Sequence, residues 1–423
     1  MIKQRSKLIV FIRSESMLAT LVPLFDENMS VRAYSLFAQK KNFLLNPSLL
    51  GTGSNDGAGS IAGLDIIESM GIETLSADKD VFVEINNISV FSDVDSQCGA
   101  PHERLVLLAD HTITPEPMYV NRLKELKGQG YKLAIRKLQV QQFEPYREIL
   151  QLMDYILLDH KRIDISKAKI YFANVYPNIS LCAVNVNSKE IFEELKKDGG
   201  YQLYEGEFFR VPVTKGQAQV SPLKVNYIEL LNLVNGEDFE LTKAADVIGR
   251  DTALVISLLK MVNRIAVNSE ITSIRHAAAM LGQRELKKWI NTAVTNELCM
   301  DKPNEITRLS LLRAKFAENL APVFGMAMQS QELFLMGLFS VLDLILDKPM
   351  EEALDLVKVS KEIQMALTGR EGSLSPVLDF ILHYEAAGWQ EVSRQMVLLN
   401  IDINHVYEAY VGSLKWYRTL FAE

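Results

Sequence analysis

The sequence predicts a multidomain chain of mixed class, α/β followed by all-α: a TIM-like (β/α) barrel and then a helical domain. Three observations carry this expectation. The chain has 423 residues, more than one ordinary core organises and enough for two. Its first half alternates short β-branched runs with longer segments of helical period, the pattern of parallel strands joined by crossover helices. Beyond about residue 215 the strand signal fades and the helical pattern continues. The expected domains are therefore 1–215 and 216–423.

In order, the strand candidates are Val31–Phe37, Val81–Ile85, Leu105–Leu108, Lys132–Ile135, Tyr155–Leu158, Ser180–Ala183 and Gln202–Tyr204. Between them, Pro117–Lys127, Gln141–Met153, Ile163–Ala173 and Ser188–Lys197 carry apolar residues at three- and four-residue intervals, as amphipathic helices do. The glycines Gly51, Gly53, Gly57 and Gly59 match neither GxGxxG after a strand nor GxxxxGK[ST], so the run reads as a loop and not a phosphate cradle. Thr214–Pro222 is polar, contains Gly216, and reads as a linker. After it, Thr252–Val262, Glu285–Ala293, Arg308–Leu320 and Gln331–Leu346 alternate apolar and polar faces, with breakers at Pro303, Pro349 and Gly369–Gly372.

Composition narrows the function classes. With 53 acidic and 45 basic residues the net charge is -8, which argues against an affinity built on neutralising nucleic-acid phosphates. Cys98, Cys182 and Cys299 are far apart and form no CxxC pair, so neither a disulfide framework nor a thiolate metal site is expected. The apolar run Leu8–Ile12 is too short for a signal-peptide core, and no stretch approaches the roughly 20 apolar residues of a membrane span. A cytoplasmic protein without membrane partners is the expectation.

The stretch LVPLFDENMSVRAYSLFAQ, Leu21 to Gln39, resembles the opening motif of EAL-type cyclic-di-GMP phosphodiesterase barrels in their EAL-HDOD branch, approximately RQPIFDxxxxVxxYELLFR. Pro23, Phe25, Asp26, Val31, Tyr34 and Leu36 match it. By that resemblance the metal-binding glutamate falls on Ser35, the substrate-contacting glutamine on Val22 and the arginine on Gln39. Later motifs continue in order: FVEINN places Glu84 at the asparagine ligand, LVLLAD places Leu108 at a glutamate, and GYKLAIRKL places Arg136 and Lys137 at the aspartate pair. DYILLD puts Leu157 at the lysine but keeps Asp154 and Asp159; SLCAVNVN puts Val184 and Asn187 at two glutamates; EGEFF puts Glu205 at the closing glutamine.

The resemblance implies a site that holds two divalent metals with carboxylates at the strand ends and activates water against a phosphodiester. Two cations among its ligands would oppose metal strongly, so metal-dependent hydrolysis is not expected and no cofactor is assigned. Internal pairing of Arg136 and Lys137 with Glu84 or Glu205 is the expected arrangement. The alternative is an anion pocket that still receives a nucleotide phosphate.

The helical half resembles HDOD domains, relatives of HD phosphohydrolases that lack their metal ligands, through Ile248 to Ile290; Asp251, Asn263, Ser273, Gly282 and Trp289 are among its specific points. No His-Asp dipeptide occurs in the chain, and this half has only His276, His383 and His405. Each reads as a structural histidine, with His276 the first to test. Asp251 suits a helix cap, and Asn263 suits a cap or a bridge between helices. Leu258, Leu259, Val262 and Trp289 read as core.

Together these readings imply a non-catalytic scaffold or regulator of cyclic-di-GMP-related signalling that acts on an unidentified signalling protein, with homo-oligomerisation left open. The different-class alternative is a non-hydrolysing cyclic-dinucleotide receptor at the barrel mouth, which the departures at Val22, Gln39 and Glu205 weaken.

Overall fold

The computed structural model describes residues 17–40, 60–210, 222–236, 239–265 and 271–421. The glycine run at 51–59 and the expected linker up to residue 221 lie outside them, as does the run Leu8–Ile12. Eight strands form a closed barrel in chain order: β1 (Met17–Phe25), β2 (Val31–Lys40), β3 (Asp80–Ile85), β4 (Leu105–Ala109), β5 (Lys132–Arg136), β6 (Tyr155–Asp159), β7 (Ser180–Val184) and β8 (Leu203–Glu205). Strands β2 to β8 pair in parallel and coincide, within a few residues, with the expected runs.

One expectation needs correction. β1 is an additional strand, and it runs antiparallel to both β2 and β8. A five-residue turn joins it to β2, and only antiparallel strands can be joined so briefly. Asp26 builds that turn: its carboxylate accepts the backbone N–H of Asn28 at 2.8 Å and of Ser30 at 3.0 Å. These bonds, with the Arg32 guanidinium, hold its carboxyl below the usual range although burial acts the other way.

Two expected helices are also broken. Over 141–153 there is a 3₁₀ turn, Val140–Gln142, and a single helical turn, Arg147–Leu150. Pro145 explains the interruption, because it removes a backbone donor and clashes with the preceding turn. Over 331–346 the chain forms Ser330–Phe339 and then Leu342–Leu346. Between them Ser340 bonds back to the Gly337 carbonyl at 2.7 Å and accepts Arg313 Nη1 at 3.1 Å.

The helical half runs from Pro222–Asn235 to Ile403–Phe421, with Asn304–Leu320 at its centre. Gly282, at φ 73°, kinks the long helix Ile274–Leu298, a conformation that favours glycine. Helices Ser375–Glu385 and Ile403–Phe421 pack directly on β1. The β1 edge facing them is satisfied by a side chain: the Ala19 N–H donates to the Tyr384 hydroxyl at 3.2 Å. Beside this contact Glu385 accepts Arg313 of the helical half at 2.8 Å and Arg210 of the barrel side at 3.0 Å. Barrel and helices thus share apolar surface and buried charge.

Candidate functional site

In a barrel strand alternate side chains point inward, so residues two apart form successive interior layers. Leu24, Ala33, Phe82, Val106, Leu108, Ala134, Leu157, Cys182 and Leu203 fill the interior. Leu108 is 1% exposed and Leu157 4%. Apolar carbon therefore closes the barrel directly below its C-terminal mouth.

The strand ends above that plug carry the charged residues. Glu84 of β3 and Arg136 of β5 form an ion pair that spans β4, whose residue in register with Glu84 is Leu108. The Arg136 guanidinium also lies over the Phe37 ring, 5.0 Å from its centroid, and its Nε is buried without a hydrogen-bond partner among the described residues. On the other side, the Ser35 hydroxyl donates to Glu205 at 3.3 Å. Burial pushes the Glu205 carboxyl above its usual range, against the pull of Arg136. Lys137 sits at φ 64°, a strained region for a side-chain-bearing residue. Burial and the adjacent Arg136 charge lower its ammonium.

A cavity of about 250 Å³ opens here, lined by Arg136, Lys137, Leu157, Val184 and Glu205. Asp159, Arg162 and Asn185 line it too and were not among the expected site residues. Asp159 had a signal, since it survives in the DYILLD motif; Arg162, three residues on, lies 3.4 Å from it. Asn187 is not brought in: it is exposed, and its side chain accepts the Glu207 N–H at 3.4 Å.

Metal-bound barrels of the resembled type require several hard oxygen donors at these strand ends. The residues present do not fit that group. Leu108, Leu157 and Val184 offer no donor, Glu84 is engaged by Arg136, and a fixed cation about 4 Å from a divalent ion opposes it by roughly 8 kcal/mol at an effective dielectric of about 20. Among the described residues no three His, Cys, Asp or Glu side chains converge as a metal site.

In the helical half Asp251, Asn263 and Ser273 hold secondary structure in place. Asp251 caps the helix Thr252–Ile265, accepting the Leu254 N–H at 3.0 Å, and also takes the Tyr227 hydroxyl at 2.9 Å. Asn263 clasps Ile271 by two bonds, donating to its carbonyl at 2.9 Å and accepting its N–H at 2.7 Å. Ser273 caps the helix Ile274–Leu298 through the His276 N–H, and His276 itself is exposed. Leu258 and Val262 are core, whereas Trp289 is only half-buried and lines a surface groove with Ile256 and Met261. An Asp251→Ala variant is expected to lose about 1 kcal/mol of stability, the usual value of such a cap. Urea denaturation measures it, and an unchanged midpoint would remove the capping role.

Comparison with known proteins gives a family match in the helical half. The HDOD domain family model matches residues 220–374. The chain is 26% identical over 407 residues to the uncharacterized protein YuxH of Bacillus subtilis (strain 168), covering 94% of this chain and 97% of that one. It is 27% identical over 322 residues to the cyclic di-GMP phosphodiesterase CdgJ of Vibrio cholerae serotype O1, covering 75% and 74%. Among solved structures, the PaMucR phosphodiesterase in complex with c-di-GMP aligns at 15% identity and a TM-score of 0.37, over 46% of this chain and 96% of that one. The Bacillus subtilis YkuI protein, which has an EAL domain, aligns at 13% identity and a TM-score of 0.35, over 46% and 54%. The chain thus carries an HDOD domain over residues 220–374 behind a closed eight-stranded barrel whose motifs, in order, resemble those of EAL domains.

Proposed function

We infer that this chain is a non-catalytic regulator in cyclic-di-GMP-related signalling that works through contacts with a signalling protein. The observation that carries the reading is the Glu84–Arg136 ion pair lying over Leu108 at the barrel mouth. It commits Glu84, the acid at the mouth end of β3, to a cation and leaves carbon where a ligand to metal would stand. The relative CdgJ is a phosphodiesterase, and at 27% identity the two chains can share a fold while differing in chemistry. The extensive seam between barrel and helices supports a role in which a change at one half is felt at the other.

A second reading rests on a different observation. The cavity of about 250 Å³ presents Arg136, Lys137 and Arg162 together, which suits a non-hydrolysing receptor for a cyclic dinucleotide phosphate.

The full chain incubated with cyclic-di-GMP and Mg²⁺ or Mn²⁺ is expected to yield no linear dinucleotide above the protein-free control, followed by ion-exchange chromatography. Product that scales with protein concentration would overturn the non-catalytic reading. Saturable heat on titrating cyclic-di-GMP at micromolar concentration, without product, would select the receptor.

A further inference from the structure

We propose that a cavity between the barrel and the helical half, well away from the barrel mouth, is a binding site for a small phosphorylated molecule. The cavity has a volume of about 670 Å³, within the roughly 300–1,000 Å³ of small-ligand sites. From the barrel side it is lined by the β1–β2 turn, by Tyr34 and by the segment before β3; from the helical side by residues 301–308 and by the end of the last helix.

Its charge is the reason for assigning an anion. Arg32 and Lys79 enter from the barrel, and Lys302, Arg308 and Arg418 from the helices, against the two acids Asp301 and Glu305. Both acids are already engaged. Asp301 takes Lys224 at 2.9 Å, and Glu305 takes Arg308 at 2.7 Å and the Tyr34 hydroxyl at 3.2 Å. Arg32, Lys79 and Lys302 have carboxylate partners of their own, whereas among the described residues Arg418 donates only to the Glu73 backbone carbonyl.

Two independent features point to where the anion would sit. The seventeen-residue helix Asn304–Leu320 begins at the cavity, so its positive end faces that space. One turn in, Arg308 is 8% exposed, and its Nη2 is buried with no hydrogen-bond partner among the described residues although Nη1 is satisfied by Glu305. A buried guanidinium nitrogen without an acceptor is costly, and a phosphate oxygen is the acceptor its fork geometry suits. The Tyr34 ring, 4.7 Å from the guanidinium carbon, holds Arg308 from the other side. Because both halves supply cations, occupancy would tighten their seam, giving the protein a ligand input separate from the barrel mouth.

The test is isothermal titration of the full chain with GMP and with inorganic pyrophosphate, at ionic strength matched with sodium chloride. Saturable binding of either probe is expected, weakened about tenfold in Arg308→Gln and in Arg418→Gln, as loss of one charge-assisted contact does. Arg308 is buried, so a misfolded Arg308→Gln protein transfers the test to Arg418→Gln and Lys79→Gln, whose side chains lie at the rim. The absence of saturable heat from both probes up to about 1 mM, the weak limit of specific binding, would overturn the proposal. So would affinities unchanged in Arg418→Gln and Lys79→Gln.

Discussion

Replacing Glu385 by alanine is expected to remove about 3–5 kcal/mol of stability, the usual result of breaking a buried ion pair from one side. The carboxylate accepts Arg313 at 2.8 Å through a second nitrogen and at 2.9 Å through Nε, and takes Arg210 at 3.0 Å. The Arg313 side chain is 5% exposed and that of Glu385 14%, so alanine leaves guanidinium charge stranded where water cannot solvate it. Glu385→Gln preserves the shape and removes the charge, and a similar loss in that variant would assign the effect to electrostatics. Urea denaturation followed by tryptophan fluorescence is the measurement, and a loss below about 1 kcal/mol, the scale of an exposed pair, would contradict the argument.

The same cluster sets an acid limit. Burial alone would raise the Glu385 carboxyl, but Arg313 and then Arg210 outweigh it and hold the group below its ordinary value of 4.5. A depressed folded-state value means that the stabilisation is complete above the ordinary carboxylate range and is lost as pH falls through the lower folded value. The wild-type chain should therefore lose stability on acidification below about pH 4.5 more steeply than Glu385→Gln, which has no such proton to take up.

How much of this was legible in the sequence follows from the range over which each feature is determined. Strands β2 to β8 are short β-branched runs whose neighbours are strands on both sides, and local pattern suffices for them. β1 escaped because MLATLVPLF is buried at almost every position and contains a proline, so it shows neither alternation nor a clean strand signature. At the break, Ser340 is held by Arg313, which lies 27 residues earlier, and no local window contains both. At the mouth, motif order placed Arg136, Lys137 and Glu205 together, and the pairing of Arg136 with Glu84 was one of two partners that charge balance allowed. The cluster at Glu385 joins residues 175 and 72 positions away, and the cavity around Arg308 draws on four separated segments. Such sites are properties of the seam between the halves, which composition and period do not encode.

The second large effect is expected at Gly206, the residue that follows Glu205 in the closing EGEFF motif. Gly206→Ala should cost about 3 kcal/mol, the upper range of overpacking in a close-packed region. A Cβ built there would lie 2.0 Å from the Val186 carbonyl oxygen, and φ is +152°, outside the range that side-chain-bearing residues prefer. That carbonyl cannot simply retreat, because it accepts the Phe208 N–H at 3.1 Å while the Val186 N–H is held by the Glu205 carbonyl at 3.0 Å. Phe208 and Phe209 in turn pack on Phe25 of β1, with ring centroids 5.3 Å and 4.7 Å away, so displacement would reach the seam where β8 meets β1. Gly199→Ala is the matched comparison: φ is +71° there too, but nothing lies within 4 Å of the added carbon. It should cost only about 1 kcal/mol, the conformational penalty alone. Equal losses in the two variants, measured by urea denaturation, would show that backbone conformation and not contact with Val186 selects glycine at the barrel's closure.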